Sequence, residues 1–389
     1  MRAASKPVAL AGARLFDGAR LVDGQAVVID GGTIAAVMPA REVPANIERR
    51  QVEGLLAPGF IDCQVNGGGG VLFNAETTIA GIAAIGAAHR CFGTVGFLPT
   101  LITDMRPKMR EALRATEAAI AAKVPGVLGV HLEGPFLNPE RKGVHDPRLM
   151  RTIDADDILM ITSAHAGRIM MTVAPEKMPT ETIARLAAAG IVLSAGHTTA
   201  SYDTLAIARR AGLTGFTHLF NAMPPLAGRE PGPVGAALDD ADAWVGLIVD
   251  MFHVSAASLR VAIAAKGWQR MMLVTDAMPT VGTNLAEFEI DGAKIIRKDG
   301  KLTRADDGTI AGSDLDMASA VRNTVAALGL PLEAALHMAS RAPAEFLGLG
   351  TELGRIAPGY RASLVLLDDN LGVSETWIDG VGSTGAAFA

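Results

Sequence analysis

The chain has few of the features that would place it in several common protein classes. Only two of its 389 residues are cysteine, and aromatic residues make up 4%. No apolar run approaches the roughly 18 residues of a membrane-spanning helix, and no cluster of lysine and arginine accompanies the net charge of -6. We therefore expect no transmembrane segment, no disulfide framework, and neither nucleic acid nor an acidic membrane as a partner.

The start of the chain and its two cysteines indicate the cellular compartment of the protein. The first residues, MRAASKPVALAGARLFDG, carry two early positive charges but no long apolar segment, so they do not predict a signal peptide. Cys63 and Cys91 form no metal or redox motif, and both stand among apolar residues. We interpret them as reduced and buried. These features together predict a cytoplasmic protein.

Apolar and small residues are abundant. Hydrophobic residues make up 49% of the chain, charged residues make up 20%, and 43 residues are glycine. This composition allows a large core with close packing of helices on strands. The length suffices for one large domain with a smaller one, or for two ordinary domains.

Short apolar runs that end in a polar side chain recur through the middle of the chain. Five of them carry an acid, an amide or an imidazole at the tip: Gln64, Glu133, His197, His218 and Asp276. A barrel enzyme builds a metal site from such residues at the carboxyl ends of parallel strands. The five runs are residues 59–66, 126–134, 191–198, 215–222 and 271–278.

Three further runs, at 93–100, 168–176 and 244–250, bring the candidate strands to eight, with helix-like segments between them. Eight alternating units over residues 58–340 predict a (β/α)8 TIM-type barrel. An open doubly wound sheet is the alternative, although no glycine-rich phosphate-binding fingerprint favours it. The candidate helices cover residues 77–92, 105–122, 177–189, 199–212, 254–266 and 314–328.

The two chain ends share a different texture, with short β-like pieces separated by Gly-Gly and Asp-Gly turns. We expect the ends to pair into one small β-sandwich domain beside the barrel. The predicted organisation is the N-terminal part of this domain at 1–57, the barrel at 58–355, and the C-terminal part at 356–389.

Alternation along the strands places the polar residues on the barrel side. Asp62, Gln64 and Asn66 share one face of the first strand, and His131 and Glu133 share one face of the third. Burying polar groups there costs free energy unless they are paired or bind an ion. That cost is the physical reason to expect a functional site.

Glu133, His197 and His218 together provide one carboxylate and two imidazoles, the ligand composition of a catalytic zinc site with an open fourth position. A bound divalent metal brings the pKa of its water to about 7. Asp276 would then take the proton from that water and return it to a leaving amine. We therefore predict metal-assisted hydrolysis.

The other histidines carry less weight. His131 lies deeper in its strand, where a supporting or core position is favoured. His145 and His253 follow the third and seventh strands, so substrate contact and simple loop exposure are equally consistent with their positions. Three more lie in helix-like or linker segments and are interpreted as surface or core residues: His89, His165 and His337.

The motifs resemble those of N-acetylglucosamine-6-phosphate deacetylases, a family within the amidohydrolase superfamily of metal-dependent barrel hydrolases. HLEGPF and HLFNAM are specific to this family. The resemblance implies a (β/α)8 barrel with a small β domain, and hydrolysis of the acetamido group of N-acetyl-D-glucosamine 6-phosphate to D-glucosamine 6-phosphate and acetate. The segments that carry it run along most of the chain: PGFIDCQVNGGGG, HLEGPF, SAGHTTA, THLFNAMPPL, VTDAM and GTIAGS.

The resemblance also implies roles for individual residues. The three candidate ligands correspond to the family's metal ligands, Asp276 to its general base and acid, and His145 to a residue that polarises the amide carbonyl. Family members are commonly homodimers, in which the Arg229 and His253 positions contact the phosphate of the neighbouring subunit's substrate. The substrate-contacting positions are Val144, His145, Asn221, Ala222, Arg229, Asp250, Met251, Phe252, His253, Ile310, Ala311 and Gly312.

One position departs from the wider superfamily, whose first strand usually ends in a His-x-His pair that completes a two-metal site. Here that position reads Gln64-Val65-Asn66, and amides are poor zinc ligands. We therefore predict one divalent metal per subunit, with Zn²⁺ favoured over Fe²⁺, Co²⁺ and Mn²⁺. A second, weakly held metal near the two amides stays open, as does the preference for gluco- or galacto-configured sugar.

Two other functions stay open on the sequence alone. The same barrel could act on another N-acyl or cyclic amide, or on an aminopurine, since such barrels host many reactions. A non-catalytic barrel that serves as a scaffold would be expected to have lost its metal ligands. This chain keeps all three candidate ligands and the candidate acid/base.

Overall fold

A sheet of parallel strands forms the centre of the molecule. The computed structural model describes residues 6–384, and residues 1–5 and 385–389 of the predicted end segments lie outside the described residues. Within the described part, eight strands follow one another in the sheet in chain order. They are Phe60–Val65, Thr94–Ile102, Gly129–Glu133, Arg168–Val173, Val192–Ala195, Gly215–Phe216, Trp244–Leu247 and Met271–Leu273.

The sheet closes on itself between its first and last strands. Asp276 donates its N–H to the Gln64 carbonyl oxygen at 2.9 Å, and Asn66 donates its N–H to the Ala277 carbonyl oxygen at 2.9 Å. Val65 and Ala277 form a parallel bridge at the same place. The predicted (β/α)8 barrel is therefore confirmed, and the open doubly wound sheet is wrong.

Helices cover the outside of the barrel, so several strands are buried along their whole length, as expected for a parallel sheet. The six predicted helices are present with slightly shorter bounds. Four of them begin at a side chain, Thr78, Ser201, Ser255 or Asp316, that accepts a backbone N–H of the first turn. The six are Ile79–Arg90, Arg106–Ala121, Thr180–Ala188, Tyr202–Arg210, Ala256–Lys266 and Met317–Ala326.

Other helices were not predicted. The segment Ala155–Thr162 starts with a capping box in which Asp154 and Asp157 each accept the other's backbone N–H, a pattern that the sequence shows. Gly232–Asp239 begins within the proline-rich segment NAMPPLAGREPGPVG. The remaining helices are Leu332–Ala339 and Arg341–Phe346, with short 3-10 helices at Ala40–Glu42, Pro139–Arg141 and Pro175–Lys177.

The two chain ends form a separate sheet-rich domain, as predicted. Leu364–Leu367 pairs antiparallel with Leu55–Pro58, which joins the C-terminal segment to the N-terminal one. Leu10, Leu56 and Trp377 belong to one core cluster drawn from both sheets. The sheets comprise, in spatial order, Thr33–Pro39, Gln25–Asp30, Val8–Ala11 and Glu48–Gln51, and then Val381–Thr384, Val373–Ile378, Leu364–Leu367, Leu55–Pro58, Arg14–Phe16 and Leu21–Val22.

An additional three-stranded antiparallel sheet follows the last barrel strand and was not predicted. Its two turns are Asp291-Gly292 and Asp299-Gly300, and all four residues have positive φ, between 49° and 78°. Such Asp-Gly pairs at both central positions are typical of type I′ hairpin turns. Its strands are Glu287–Ile290, Ala293–Lys298 and Lys301–Arg304, and a small two-stranded ribbon pairs Gly67–Gly68 with Val71–Leu72.

The cysteines and the lengths of the helices bear on the expected absence of disulfides and of a membrane span. Cys63 and Cys91 are both free, but only Cys63 is buried, and the prediction of burial is wrong for Cys91, which is partly exposed. Of the helices in residues 6–384, none combines the length and the apolar content needed to cross a bilayer.

Candidate active site

Three of the predicted site residues, His197, His218 and Asp276, lie just beyond the barrel strands in backbone that is not extended, whereas Glu133 is the last residue of the third strand. The sixth strand was predicted to run to residue 222 but ends at Phe216. His218, Phe220 and Ala222 have φ of 29°, 78° and 52°, values that interrupt a strand and that non-glycine residues rarely adopt. Because of this left-handed turn, the strand alternation assumed from the sequence does not extend to these positions.

The same backbone feature recurs at two more predicted site residues. His197 has φ of 48° and follows the fifth strand, and Asp276 has φ of 53° and follows the eighth. Strained backbone of this kind costs about 1–3 kcal/mol per residue and persists only where surrounding contacts hold it. The barrel thus turns its polar side chains inward at the price of local strain.

Glu133, His197 and His218 converge at the centre of the barrel mouth, and all three are buried. His218 Nε2 lies 3.0 Å from Glu133 Oε1 and 3.1 Å from His197 Nε2, and His197 Nε2 lies 3.4 Å from Glu133 Oε1. Ligand atoms about 2.0–2.1 Å from a tetrahedral zinc ion are about 3.3–3.5 Å apart. The triangle of donor atoms therefore fits one divalent metal ion.

The protonation states of Glu133 and His197 also favour the binding of a cation. His197 Nδ1 donates to the Arg141 carbonyl oxygen at 2.7 Å, so its Nε2 presents a lone pair toward the triangle. Burial raises the pKa of Glu133, but the neighbouring His197 and His218 rings outweigh burial and hold that pKa well below its usual range. An ionised carboxylate and an imidazole lone pair then face one point.

Asp276 lies beside this triangle and is connected to it by hydrogen bonds from side-chain amides. Gln64 Nε2 donates to Glu133 Oε1 at 3.0 Å and to Asp276 Oδ1 at 3.1 Å, and Asn66 Nδ2 donates to the same Asp276 oxygen at 2.6 Å. Burial raises the pKa of Asp276 to about 6, and the charge of Glu133 adds to this effect. The amide N–H groups thus occupy the space between the two carboxylates.

His145 approaches the triangle from the loop after the third strand. Its Nδ1 accepts the Thr103 N–H at 3.2 Å and lies 2.8 Å from the Thr103 hydroxyl, so the ring proton of a neutral His145 is on Nε2. Burial and, after it, the neighbouring His197 lower the pKa of His145 to about 3. The ring is therefore neutral, with one N–H available as a donor.

These groups share one cavity of about 620 Å³ at the barrel mouth. Its size suits a small phosphorylated sugar, and its lining combines charged, polar and apolar groups. Asp276 and all three residues of the triangle line it together with His145. The predicted substrate-contacting residues that also line it are Val144, Asn221, Ala222, His253, Ile310 and Gly312.

Comparison with known proteins identifies the family. The model of the Amidohydrolase family matches residues 55–382, and that of the NagA composite domain matches residues 8–56. An N-acetylglucosamine-6-phosphate deacetylase of Haemophilus influenzae is 34% identical over 91% of this chain and 93% of its own length. This chain belongs to the N-acetylglucosamine-6-phosphate deacetylase family of amidohydrolases.

Two further similarities cover nearly all of the chain. An N-acetylgalactosamine-6-phosphate deacetylase of Shewanella sp. (strain ANA-3) is 41% identical over 95% of this chain and 94% of its own length. The crystal structure of N-acetylglucosamine-6-phosphate deacetylase from Pasteurella multocida has a TM-score of 0.94 at 32% identity, covering 97% of this chain and 100% of that chain. The fold and family expected from the motifs are thereby confirmed.

Some residues that the family resemblance suggested lie outside the cavity lining. Asp250 Oδ2 lies 2.6 Å from His253 Nδ1 and so orients that ring rather than facing the cavity. Phe252 is 42% exposed, and Arg229 is exposed in the loop after the sixth strand. The residues in this group are Arg229, Asp250, Met251, Phe252 and Ala311, and their substrate contacts stay predictions.

Several cavity residues were not predicted from the sequence. Arg141 and Lys142 precede Val144 in the polar segment NPERKGVHDPR, where basic side chains are a signal for phosphate contact. Asp307 and Thr309 follow the antiparallel sheet that was not predicted, and this sheet brings them to the cavity. Asn66, which the sequence placed on the barrel side of the first strand, also lines the cavity, and the unpredicted lining residues are Ile102, Glu140, Arg141, Lys142, Gly143, Met278, Asp307 and Thr309.

The remaining histidines lie where the sequence suggested. His131 is fully buried, with Nε2 2.7 Å from the Thr172 hydroxyl and Nδ1 3.2 Å from the Thr100 hydroxyl. His165 is exposed. His89 and His337 are buried, each within hydrogen-bond distance of a backbone carbonyl oxygen.

Proposed function

We propose that this chain hydrolyses the acetamido group of N-acetyl-D-glucosamine 6-phosphate to give D-glucosamine 6-phosphate and acetate. The observation that carries the proposal is the convergence of Glu133, His197 and His218 beside a buried Asp276 in one cavity. The named relatives support this class of substrate over another N-acyl or cyclic amide. A non-catalytic scaffold is disfavoured because the whole ligand set is assembled.

We propose that Glu133, His197 and His218 hold one divalent metal per subunit, with Zn²⁺ favoured and Fe²⁺, Co²⁺ or Mn²⁺ as alternatives. Such an ion supplies Lewis acidity, which polarises a carbonyl and brings the pKa of water to about 7. Gln64 and Asn66 argue for a single ion, because their N–H groups point at the carboxylates that a second cation would need.

Asp276 carries both proton transfers in this proposal, and His145 stabilises the developing negative charge. Asp276 accepts the proton of the water that attacks the acetamido carbonyl carbon, and it then gives that proton to the amine as the C–N bond breaks. His145 donates its Nε2–H to the carbonyl oxygen as negative charge develops there. Gln64 and Asn66 orient the Asp276 carboxylate by holding its Oδ1.

The phosphate is proposed to bind basic side chains around the cavity mouth. His253 lines the cavity of its own chain, whereas Arg229 lies outside the lining. Because Arg229 is exposed, we propose that it serves the neighbouring subunit of a homodimer. Mixed dimers of one Arg229→Ala subunit and one Asp276→Asn subunit test this proposal. Such hybrids should recover activity that neither variant has alone. In each hybrid one of the two sites is complete, because it has its own Asp276 and the Arg229 of the other subunit. Unrestored activity in verified hybrids would remove Arg229 from the neighbouring site.

N-acetyl-D-galactosamine 6-phosphate is the second candidate substrate. A relative named for that substrate is 41% identical to this chain, against 34% for the Haemophilus influenzae relative named for the gluco-configured sugar. The two sugars differ only in the orientation of the hydroxyl at C4. A site that hydrogen-bonds one orientation discriminates against the other because a buried polar group is then left unpaired.

Acetate release from four compounds tests the function: the two phosphorylated N-acetylhexosamines and their unphosphorylated forms. We expect kcat/KM to be highest for N-acetyl-D-glucosamine 6-phosphate, to fall without the phosphate, and to disappear on chelation and return with Zn²⁺. Higher kcat/KM for the galacto epimer would select the second candidate. Full activity after verified metal removal would refute the metal-assisted mechanism. We also propose that the protein is cytoplasmic, and cell fractionation tests this location.

A further inference from the structure

The metal triangle depends on a histidine whose backbone is strained. His197 has φ of 48°, so its ring reaches the triangle only while the chain is held in the left-handed region. If the backbone relaxed to an ordinary conformation, the direction of the side chain would change and Nε2 would leave its position 3.1 Å from His218 Nε2. Something near His197 must therefore stabilise this conformation.

Glu176 is placed to do so, from the loop after the fourth strand. Its Oε1 accepts the Thr199 backbone N–H at 2.7 Å and the Asn138 Nδ2–H at 2.8 Å, and its Oε2 accepts the Thr198 hydroxyl at 2.5 Å. One carboxylate thus holds both residues that follow His197 in the chain.

Asn138 completes the connection from the other side. Its backbone N–H donates to the His197 carbonyl oxygen at 2.9 Å, and its side chain also donates to the Thr199 hydroxyl at 2.8 Å. Asn138 is only 2% exposed, so this connection is shielded from water. The loops after the third, fourth and fifth strands therefore meet at the Glu176 carboxylate.

The same arrangement orients the His197 ring. Arg141, whose carbonyl oxygen accepts the His197 Nδ1–H at 2.7 Å, lies three residues after Asn138 in the same loop. The short helix Pro139–Arg141 joins them, with the Asn138 side chain accepting the N–H of Glu140. Holding Asn138 in place therefore also holds the carbonyl group that sets the tautomer of His197.

We infer that Glu176 is a positioning residue for the metal site: it holds His197 in the strained conformation that a cation requires. This inference rests on the proposed metal function and extends it to a residue that does not line the cavity. Hydrogen-bonded groups behind metal ligands are typically worth about 10–100-fold in metal affinity.

The test is the affinity of the metal-free protein for Zn²⁺, measured by competition with a chromophoric chelator, together with the visible absorption spectrum of the Co²⁺ form. Glu176→Ala should weaken Zn²⁺ binding about 10–100-fold and change the Co²⁺ spectrum. Glu176→Gln should stay within a few-fold of the parent, because its amide oxygen can accept the bonds that Oε1 makes. Glu181→Ala, at an exposed position five residues further on, is the matched control.

Equal affinity of Glu176→Ala and the control would overturn the inference, and so would equal losses in Glu176→Ala and Glu176→Gln. If Glu176→Ala does not fold, Thr199→Val serves instead, since it removes the hydroxyl that contacts Asn138 and Glu176 without changing side-chain size. That variant should bind Zn²⁺ several-fold more weakly than the parent, and parental affinity would count against the inference. Failure of the parent protein to bind Zn²⁺ or Co²⁺ would instead refute the metal site itself.

Discussion

Replacing Asp276 by asparagine removes the proposed base with little change in shape. Asp276 Oδ1 accepts N–H groups from Asn66 at 2.6 Å and from Gln64 at 3.1 Å, and an amide oxygen can take over both bonds. The new NH₂ group then stands where Oδ2 was. The variant should keep the site geometry and the bound metal, but it has no atom that can accept a proton from water.

The size of the loss follows from the role assigned. General acid–base catalysis contributes about 10²–10⁴-fold, or about 2.7–5.5 kcal/mol of activation free energy. Because one carboxylate serves both proton transfers in the proposal, we expect kcat to fall toward the upper part of that range. KM should change by less than about threefold, since ground-state contacts are retained.

In contrast to kcat, the stability of the metal-free protein should increase in Asp276→Asn. Burial, and then Glu133, raises the pKa of Asp276 to about 6, so in the metal-free protein its charge opposes folding near neutral pH. Removing that charge should raise the free energy of unfolding of the metal-free variant by roughly 3 kcal/mol at pH 7. The difference should shrink as pH falls below about 6 and vanish below about 4, where both folded and unfolded carboxyls are protonated.

Steady-state assays of acetate release, metal analysis and thermal unfolding of the metal-free form measure these effects. Asp203→Asn, at an exposed position in the first turn of a helix, makes the same charge change away from the site and should alter neither activity nor metal content. A decrease in kcat of less than about tenfold in a variant that retains its metal would show that Asp276 is not the proton acceptor.

Three further predictions address the metal count, the outer helices and the paired chain ends. Gln64→Glu places a third carboxylate between Glu133 and Asp276, so metal content measured by elemental analysis should rise from one toward two ions per chain; an unchanged content would contradict the blocking role of the amide. Burial alone would raise the pKa of Asp157, but its arginine partners hold that pKa at about 2. Asp157→Asn should therefore lower the free energy of unfolding by about 2–4 kcal/mol above pH 4 and by less toward pH 2. Denaturant unfolding across that pH range measures the loss. Leu364→Ala should cost about 2–5 kcal/mol because its fully buried side chain lies where the chain ends pair, and a smaller loss by the same measurement would mean that the end domain contributes little to the cooperative fold.

The barrel could be predicted from the sequence because its elements repeat a local pattern. Apolar runs, helix-capping residues and turn residues act over a few positions, so eight strands and six helices were found near their actual places. The unpredicted helix at Ala155–Thr162 and the antiparallel sheet after the last strand also have local patterns, a capping box and two Asp-Gly turns. The sequence therefore contains enough information to predict both elements.

The strand ends near the site could not be predicted in the same way. His197, His218 and Asp276 depart from extended geometry because contacts with other loops stabilise the left-handed backbone. Those contacts join residues far apart in the chain, such as Asn138 with His197 and Gln64 with Asp276. The contribution of Glu176 follows from such contacts and has no local pattern of its own.

The sequence by itself determined the class of fold, the pairing of the chain ends and the residue types of the site. Periodicity and motifs are local properties of the sequence, so they can be recognised without the tertiary structure. Only the tertiary structure decided which atoms meet: that Oδ1 of Asp276 is held by two amides, that Nε2 of His145 keeps its proton, and that the His197 ring is fixed by a carbonyl of another loop. Protonation and orientation depend on distances of a few ångströms between groups on different strands. Such distances are settled only when the barrel closes and brings its first and last strands together.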